Sequence, residues 1–142
     1  MRSKSKVYFF FSRPAPFLKE RTRLKKHIEA VFRREGKKLE SINYVFCSDN
    51  ELLKINQQFL QHDYFTDIVT FDLSETELVI GEVYISLDRV RENARNLNVP
   101  LGTEMRRVVF HGALHLCGYK DKSMAQRKRM RKKEDYYLAQ KV

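Results

Sequence analysis

The chain has 142 residues, 42% apolar and 32% charged, which suits one domain with a core that needs no staple and excludes a disordered tail. No apolar run approaches the ~18 residues of a membrane span, and two cysteines, Cys47 and Cys117, are too few for a disulfide framework. The formal charge of +10 favours a polyanionic partner.

The elements follow in chain order. "KVYFFF", Lys6 to Phe11, reads as a short strand, and Pro14 and Pro16 break the chain after it. The basic start before this strand has no small-residue cleavage site behind it, so a cytoplasmic protein rather than a secreted one is expected. Leu18, Leu24, Ile28, Val31 and Phe32 fall at helical spacing and predict a helix from Leu18 to Gly36. The rest of that helix is charged, and His27 within it is expected to face solvent. "SINYVFCS" alternates, with Ile42, Tyr44 and Phe46 on one face, and predicts a strand. Ser48 or Asp49 then caps the helix "SDNELLKINQQFL".

"TDIVTFDL" and "ELVIGEVYISL" read as a strand hairpin turned at Ser74 to Thr76, and Gly81 predicts a bulge or a close backbone approach. A helix follows from Ser86 or Asp88. Pro100 opens another, running from Leu101 to about Cys117, with Gly118 as its left-handed cap. A basic helix covers about Ser123 to Ala139. Strands and helices mix without strict alternation, so the expected fold is α+β, a single compact domain over residues 1–142. A small mixed sheet of about four strands would pack with about five helices.

Chemistry concentrates in "HGALHLCGYKD". At i and i+4 on a helix, His111 and His115 project from one face and can reach one divalent ion. Gly118 lets the chain turn sharply and bring Asp121 back toward that ion. Two imidazoles, one carboxylate and an open position describe a hydrolytic zinc site, with one ion per chain. The bland alternative is a pair of helix histidines that pack without metal. Zinc proteases carry a glutamate after the first histidine as general base, and here that position is Gly112, which disfavours peptide hydrolysis by that route. A zinc-bound water has a pKa of about 7 and can attack without such a base.

The charge pattern bears on the substrate. Arg13 to Lys38 holds ten basic and three acidic residues, Lys120 to the end nine and three, and Leu39 to Met105 four and twelve. Basic flanks around an acidic middle predict a surface for nucleic acid. Arg106 and Arg107, one helical turn before His111, and Lys120, Arg127 and Arg131 are the candidates for holding a phosphate backbone. Asp67, at a strand start, could face the metal cleft, orient a ligand or cap a turn, and His62 lies in the loop before it. Glu82, mid-strand, reads as exposed.

These residues resemble a known family. "HGALHLCGYKD" is similar to the H-G-x-L-H-L-x-G-Y-D-H motif of the bacterial YbeY-type metal-dependent endoribonucleases, with His111, Gly112, Leu114, His115, Leu116, Gly118 and Tyr119 matching. Upstream, "INQQFLQHDYFTDIVTF" resembles the family's L-N-x-x-Y-R-x-x-D-x-x-T-D-V-L-S-F stretch through Asn56, Asp63, Thr66, Asp67 and Phe71. "GEVYIS" resembles its G-D-I-x-I-S strand through Gly81, Ile85 and Ser86.

The resemblance implies a compact α+β domain, a zinc ion on three motif side chains, and cleavage of single-stranded RNA in the maturation of 16S ribosomal RNA and in ribosome quality control. It implies RNA and the small ribosomal subunit as partners; composition gives the expectation of no membrane, and a monomer is expected. Two departures stand out. The family's third histidine falls on Asp121, itself a competent zinc ligand, and its arginine falls on Leu60, with His62 nearby as a partial substitute. The competing expectation, to which Leu60 and Gly112 lend weight, is a ribosome- or RNA-associated factor with a structural zinc and little hydrolysis. A zinc hydrolase for another substrate is a third.

Overall fold

The computed structural model describes residues 5–140, so the first basic residues of the chain lie outside it. The elements are β1 (Val7–Phe11), α1 (Arg21–Arg34), β2 (Lys38–Cys47), α2 (Asp49–Leu60), β3 (Ile68–Asp72), β4 (Leu78–Ser86), α3 (Leu87–Leu97), α4 (Leu101–Leu116) and α5 (Met124–Ala139). The strands form one mixed sheet in the order β1-β2-β4-β3. β1 and β4 run parallel to β2, and β3 returns antiparallel to β4 as the expected hairpin. The α+β architecture with four strands and five helices follows the sequence reading.

Strand alternation decides which helix goes where. Phe9, Tyr44, Val83 and Thr70 lie in one cross-strand row, on the face covered by α1 and α4. On the opposite face Cys47 and Val69 pack with Leu52 of α2. α4 runs through the core: Met105, Val109, Phe110, Ala113 and Leu114 are fully enclosed. The buried Tyr44 hydroxyl donates to the Val109 carbonyl at 2.8 Å, which ties the middle of α4 to the sheet.

Two glycines set how closely α4 approaches. A Cβ on Gly112 would sit 3.0 Å from Val83 Cγ1 and 3.1 Å from Ile68 Cδ1. The position after His111 is therefore a packing contact with no room for a glutamate. A Cβ on Gly81 would meet Leu116 Cδ1 at 2.4 Å, so Gly81 marks the close approach of a side chain rather than of backbone. The bulge in the sheet lies instead in β2, between Leu39 and Ser41.

Two expectations need correction. α1 starts at Arg21 rather than Leu18, because Glu20 before it has a left-handed backbone with φ 53°. His27 does not face solvent: it is 3% exposed, with its ring 4.6 Å from that of Phe110. Leu24, His27, Ile28 and Val31 follow the i, i+3, i+4, i+7 stripe, so spacing placed His27 inside despite its charged neighbours. Burial, with Arg106 and Arg34 adding to it, pushes its pKa down to about 4, so it is held neutral.

Candidate metal centre and its cleft

His111 and His115 stand one helical turn apart on α4 and face a cleft that β3 also lines, their rings edge to face at 4.6 Å. α4 then ends in a Schellman turn: the Gly118 N–H donates to the His115 carbonyl and the Tyr119 N–H to the Leu114 carbonyl, each at 3.0 Å. Gly118 has φ 104°, a conformation that favours glycine. Ser123 caps α5 in a capping box with Gln126, which fixes where the loop ends. Between these two anchors the chain swings Asp121 back. Its Oδ2 lies 3.2 Å from His111 Nε2 and 3.3 Å from His115 Nε2. One ligand atom from each of the three residues lies within 4.8 Å of the others, so the group could hold a metal ion.

Behind His111 stands a residue that the sequence reading missed. Glu134 of α5, 5% exposed, accepts from His111 Nδ1 at 2.7 Å. With its Nδ1 so committed, the ring presents Nε2 to Asp121. Glu134 is held in turn by Arg107 at 3.2 Å, and Arg107 also pairs with Asp135 at 2.9 Å. Burial opposes a charge on His111, but the Glu134 carboxylate, with Asp121 and Asp67 adding to it, outweighs burial and raises the pKa. For His115, burial together with the neighbouring His111 lowers the pKa, against the pull of Asp121. The signal for Glu134 was present: Met130, Glu134 and Tyr137 form a buried i, i+4, i+7 stripe on an otherwise charged helix.

The centre opens into a cleft of about 850 Å³, with α4 and α5 on one side and the segment around Leu60 to Asp67 on the other. Asn56, 1% exposed, shapes that segment: its carbonyl accepts the His62 N–H at 3.1 Å and its amide donates to the Tyr64 carbonyl at 2.9 Å. His62 lies on the rim, stacked on Tyr64 at 5.1 Å, with the Tyr64 hydroxyl 3.0 Å from its Nδ1. Asp67 lies deeper and accepts from the Asn93 amide at 3.3 Å. Burial raises its pKa, with His111 opposing. Glu104, also lining the cleft and 5% exposed, is likewise raised by burial, against the pull of Arg107.

The basic candidates divide. Arg107, Arg127 and Arg131 line the cleft, although Arg107 is engaged by Glu134 and Asp135. Arg106 turns into a separate groove beside α1, its guanidinium 5.8 Å from the Phe110 ring centroid. Lys120 lies across the turn from Asp121, beside Tyr119. Leu60 lines the cleft itself. Glu82 is half-buried on the far face of the sheet, where its carboxylate accepts from the Tyr84 hydroxyl.

The chain matches the model of the family described as Endoribonuclease YbeY over residues 17–141. It is 49% identical over 121 residues to the endoribonuclease YbeY of Flavobacterium psychrophilum, covering 85% of this chain and 86% of that protein. Against the Cytophaga hutchinsonii protein of the same name, identity is 41% over 138 residues, covering 96% of each. A Thermotoga maritima protein solved in solution superposes with a TM-score of 0.66 at 32% identity, covering 93% of this chain and 86% of that one. Sequence match and shared fold agree over nearly the whole length, and the chain belongs to the YbeY endoribonuclease family.

Proposed function

We propose that this protein is a zinc-dependent endoribonuclease that cleaves single-stranded RNA, working on 16S ribosomal RNA and the small ribosomal subunit during maturation and quality control. The observation that carries this reading is the convergence of His111 Nε2, His115 Nε2 and Asp121 Oδ2 at the mouth of a cleft that Arg127 and Arg131 flank. RNA as substrate rests on the activity for which the relatives are named, and 16S RNA on the family resemblance.

The donor set suits zinc: two imidazole nitrogens and one carboxylate oxygen, with the first imidazole braced by a carboxylate behind it. When bound, the ion supplies a Lewis acid for a phosphoryl oxygen. Arg127 and Arg131 hold the phosphate backbone, which gives affinity but little sequence readout. Asp67, its carboxyl raised by burial, is assigned to take the proton of the attacking oxygen. His62 on the rim is assigned to return one to the leaving oxygen. Single-stranded RNA fits because an open cleft can reach its backbone and unstacked bases freely.

Leu60 in the cleft wall favours a second reading, a ribosome-associated factor in which the zinc is structural. Elemental analysis of the purified protein, paired with cleavage of a single-stranded RNA before and after chelation, separates the two. The proposal expects close to one zinc per chain and cleavage that chelation stops. A zinc-loaded protein without cleavage supports the second reading, and a metal-free, chelator-indifferent nuclease overturns both.

A further inference from the structure

The basic side chains of α5 do not all serve the cleft. Arg127 and Arg131 line it, whereas Arg129, Lys132 and Lys133 line a second groove on the other side of the helix, closed by Arg34 at the end of α1. Glu35 is the one acid in that groove among the described residues, and it is already neutralised. It accepts from the hydroxyls of Tyr119 and Tyr137 and from Lys133 at 3.1 Å, and these bonds hold its carboxyl below the usual range against the effect of burial. Arg34, Arg129 and Lys132 make no ion pair among the described residues. The groove therefore presents cations without matching anions.

It also presents an aromatic face. Tyr136 is 45% exposed, propped edge-on against Tyr137 at 4.9 Å, and Lys133 lies 5.9 Å from its ring centroid. An exposed, braced ring among unpaired cations is the arrangement by which single-stranded nucleic acid is held without sequence preference: phosphates on the cations and a base on the ring. The groove is also linked to the cleft. The turn after Gly118 places Asp121 in the cleft and Tyr119 and Lys120 on the other side, where Arg129 is shared with the second groove.

We propose that this groove is a second binding site for the same RNA strand, taking nucleotides that leave the metal centre across the Gly118–Asp121 turn. Phosphates would rest on Arg34, Arg129 and Lys132, and a base would stack on Tyr136. The inference rests on the RNA reading above and adds that the substrate footprint is longer than the cleft.

Binding of a tetranucleotide and of a ~12-nucleotide single-stranded RNA, lengths within the range of known single-strand sites, tests this by fluorescence anisotropy across salt. The variants are Tyr136→Ala, Tyr136→Phe and the double Arg129→Gln/Lys132→Gln, all at exposed positions outside the cleft, with thermal melts as the check on folding. The longer RNA should bind wild type at least about 10-fold more tightly than the tetranucleotide, and Tyr136→Ala should lose about 10-fold on the longer RNA only, with Tyr136→Phe restoring it. The double variant should lower the salt slope by about 1.4, at ~0.7 per lost phosphate contact on a single strand. Longer-RNA binding unchanged in every variant overturns the proposal, whether or not the protein cleaves, and leaves the groove to an acidic protein. Binding that falls as described in a protein that cleaves nothing upholds the groove and removes the nuclease reading instead.

Discussion

On the α4–α5 side of the cleft a chain of side chains braces the first histidine: His111 is held by Glu134, Glu134 by Arg107, and Arg107 by Asp135. On the facing side, from Gln61 to Asp67, His62 and Tyr64 are exposed and lean chiefly on each other. The difference fits what the proposed function asks of each side. Ligands for one ion need their geometry fixed before the ion arrives, and a braced buried network supplies that. A wall that meets a variable polymer needs reach and contact area, and exposed stacked rings on a loop pinned at Asn56 supply those.

The largest expected effect lies on the braced side. His115→Ala should remove the bound metal and lower metal-dependent RNA cleavage by more than about 100-fold, the upper end of what loss of an outer partner costs. The melting temperature without metal should move little, since His115 is half-buried rather than enclosed in the core. Cleavage that survives would move the reactive centre to the other wall.

Next comes the packing behind α4, read through His27. Its pKa is lowered from 6.5 to about 4 in the folded protein, so the unfolded chain binds the proton more readily. Its contribution to stability is full above pH ~6.5 and falls away toward pH ~4, by about 3 kcal/mol at most. Denaturant melts across this range should show that His27→Leu flattens the acid limb. An unchanged slope would mean that burial does not hold His27 neutral.

On the facing wall, His62→Ala should lower kcat by about 100-fold, the low end for a proton-transfer group, while leaving metal content unchanged. A change confined to KM would reduce His62 to a substrate contact. Glu134→Gln should weaken metal affinity by ~10–100-fold, read by competition with a chromogenic chelator, because the amide keeps a hydrogen bond but loses the charge that supports His111. If affinity holds, the braced side owes its geometry to the backbone turn alone. The smallest effect belongs to the sheet contact: Gly112→Ala should cost about 1–2 kcal/mol in urea, from overpacking against Val83 and Ile68.

Much of this was legible in the sequence because it depends on local spacing. Alternation in "SINYVFCS" and the hairpin signals produced β2, β3 and β4 within a few residues, and the His111–His115 pair with Gly118 pointed to the convergence now seen with Asp121. What was misread depends on neighbours distant in the chain. Glu134 lies 23 residues from His111 in sequence, and only the packing of α5 on α4 brings them to 2.7 Å. His27 shows the opposite failure: the stripe placing it inside was present, and its charged neighbours overrode it in the reading.

The sequence by itself determined the elements, the two histidines on one helix face and the glycine that turns the chain, because each rests on backbone preferences within a few residues. The tertiary structure decided how the basic residues of α5 divide between the metal centre and the far side of the helix. That helix is basic around most of its circumference, so no apolar face except the narrow Met130–Tyr137 stripe orients it. Contact with α4 sends Arg127 and Arg131 to the cleft and Arg129 and Lys132 to the opposite groove. Charge counts cannot separate the two sets, because a helix's charges say how much it attracts a polyanion, and only its packing says from which side.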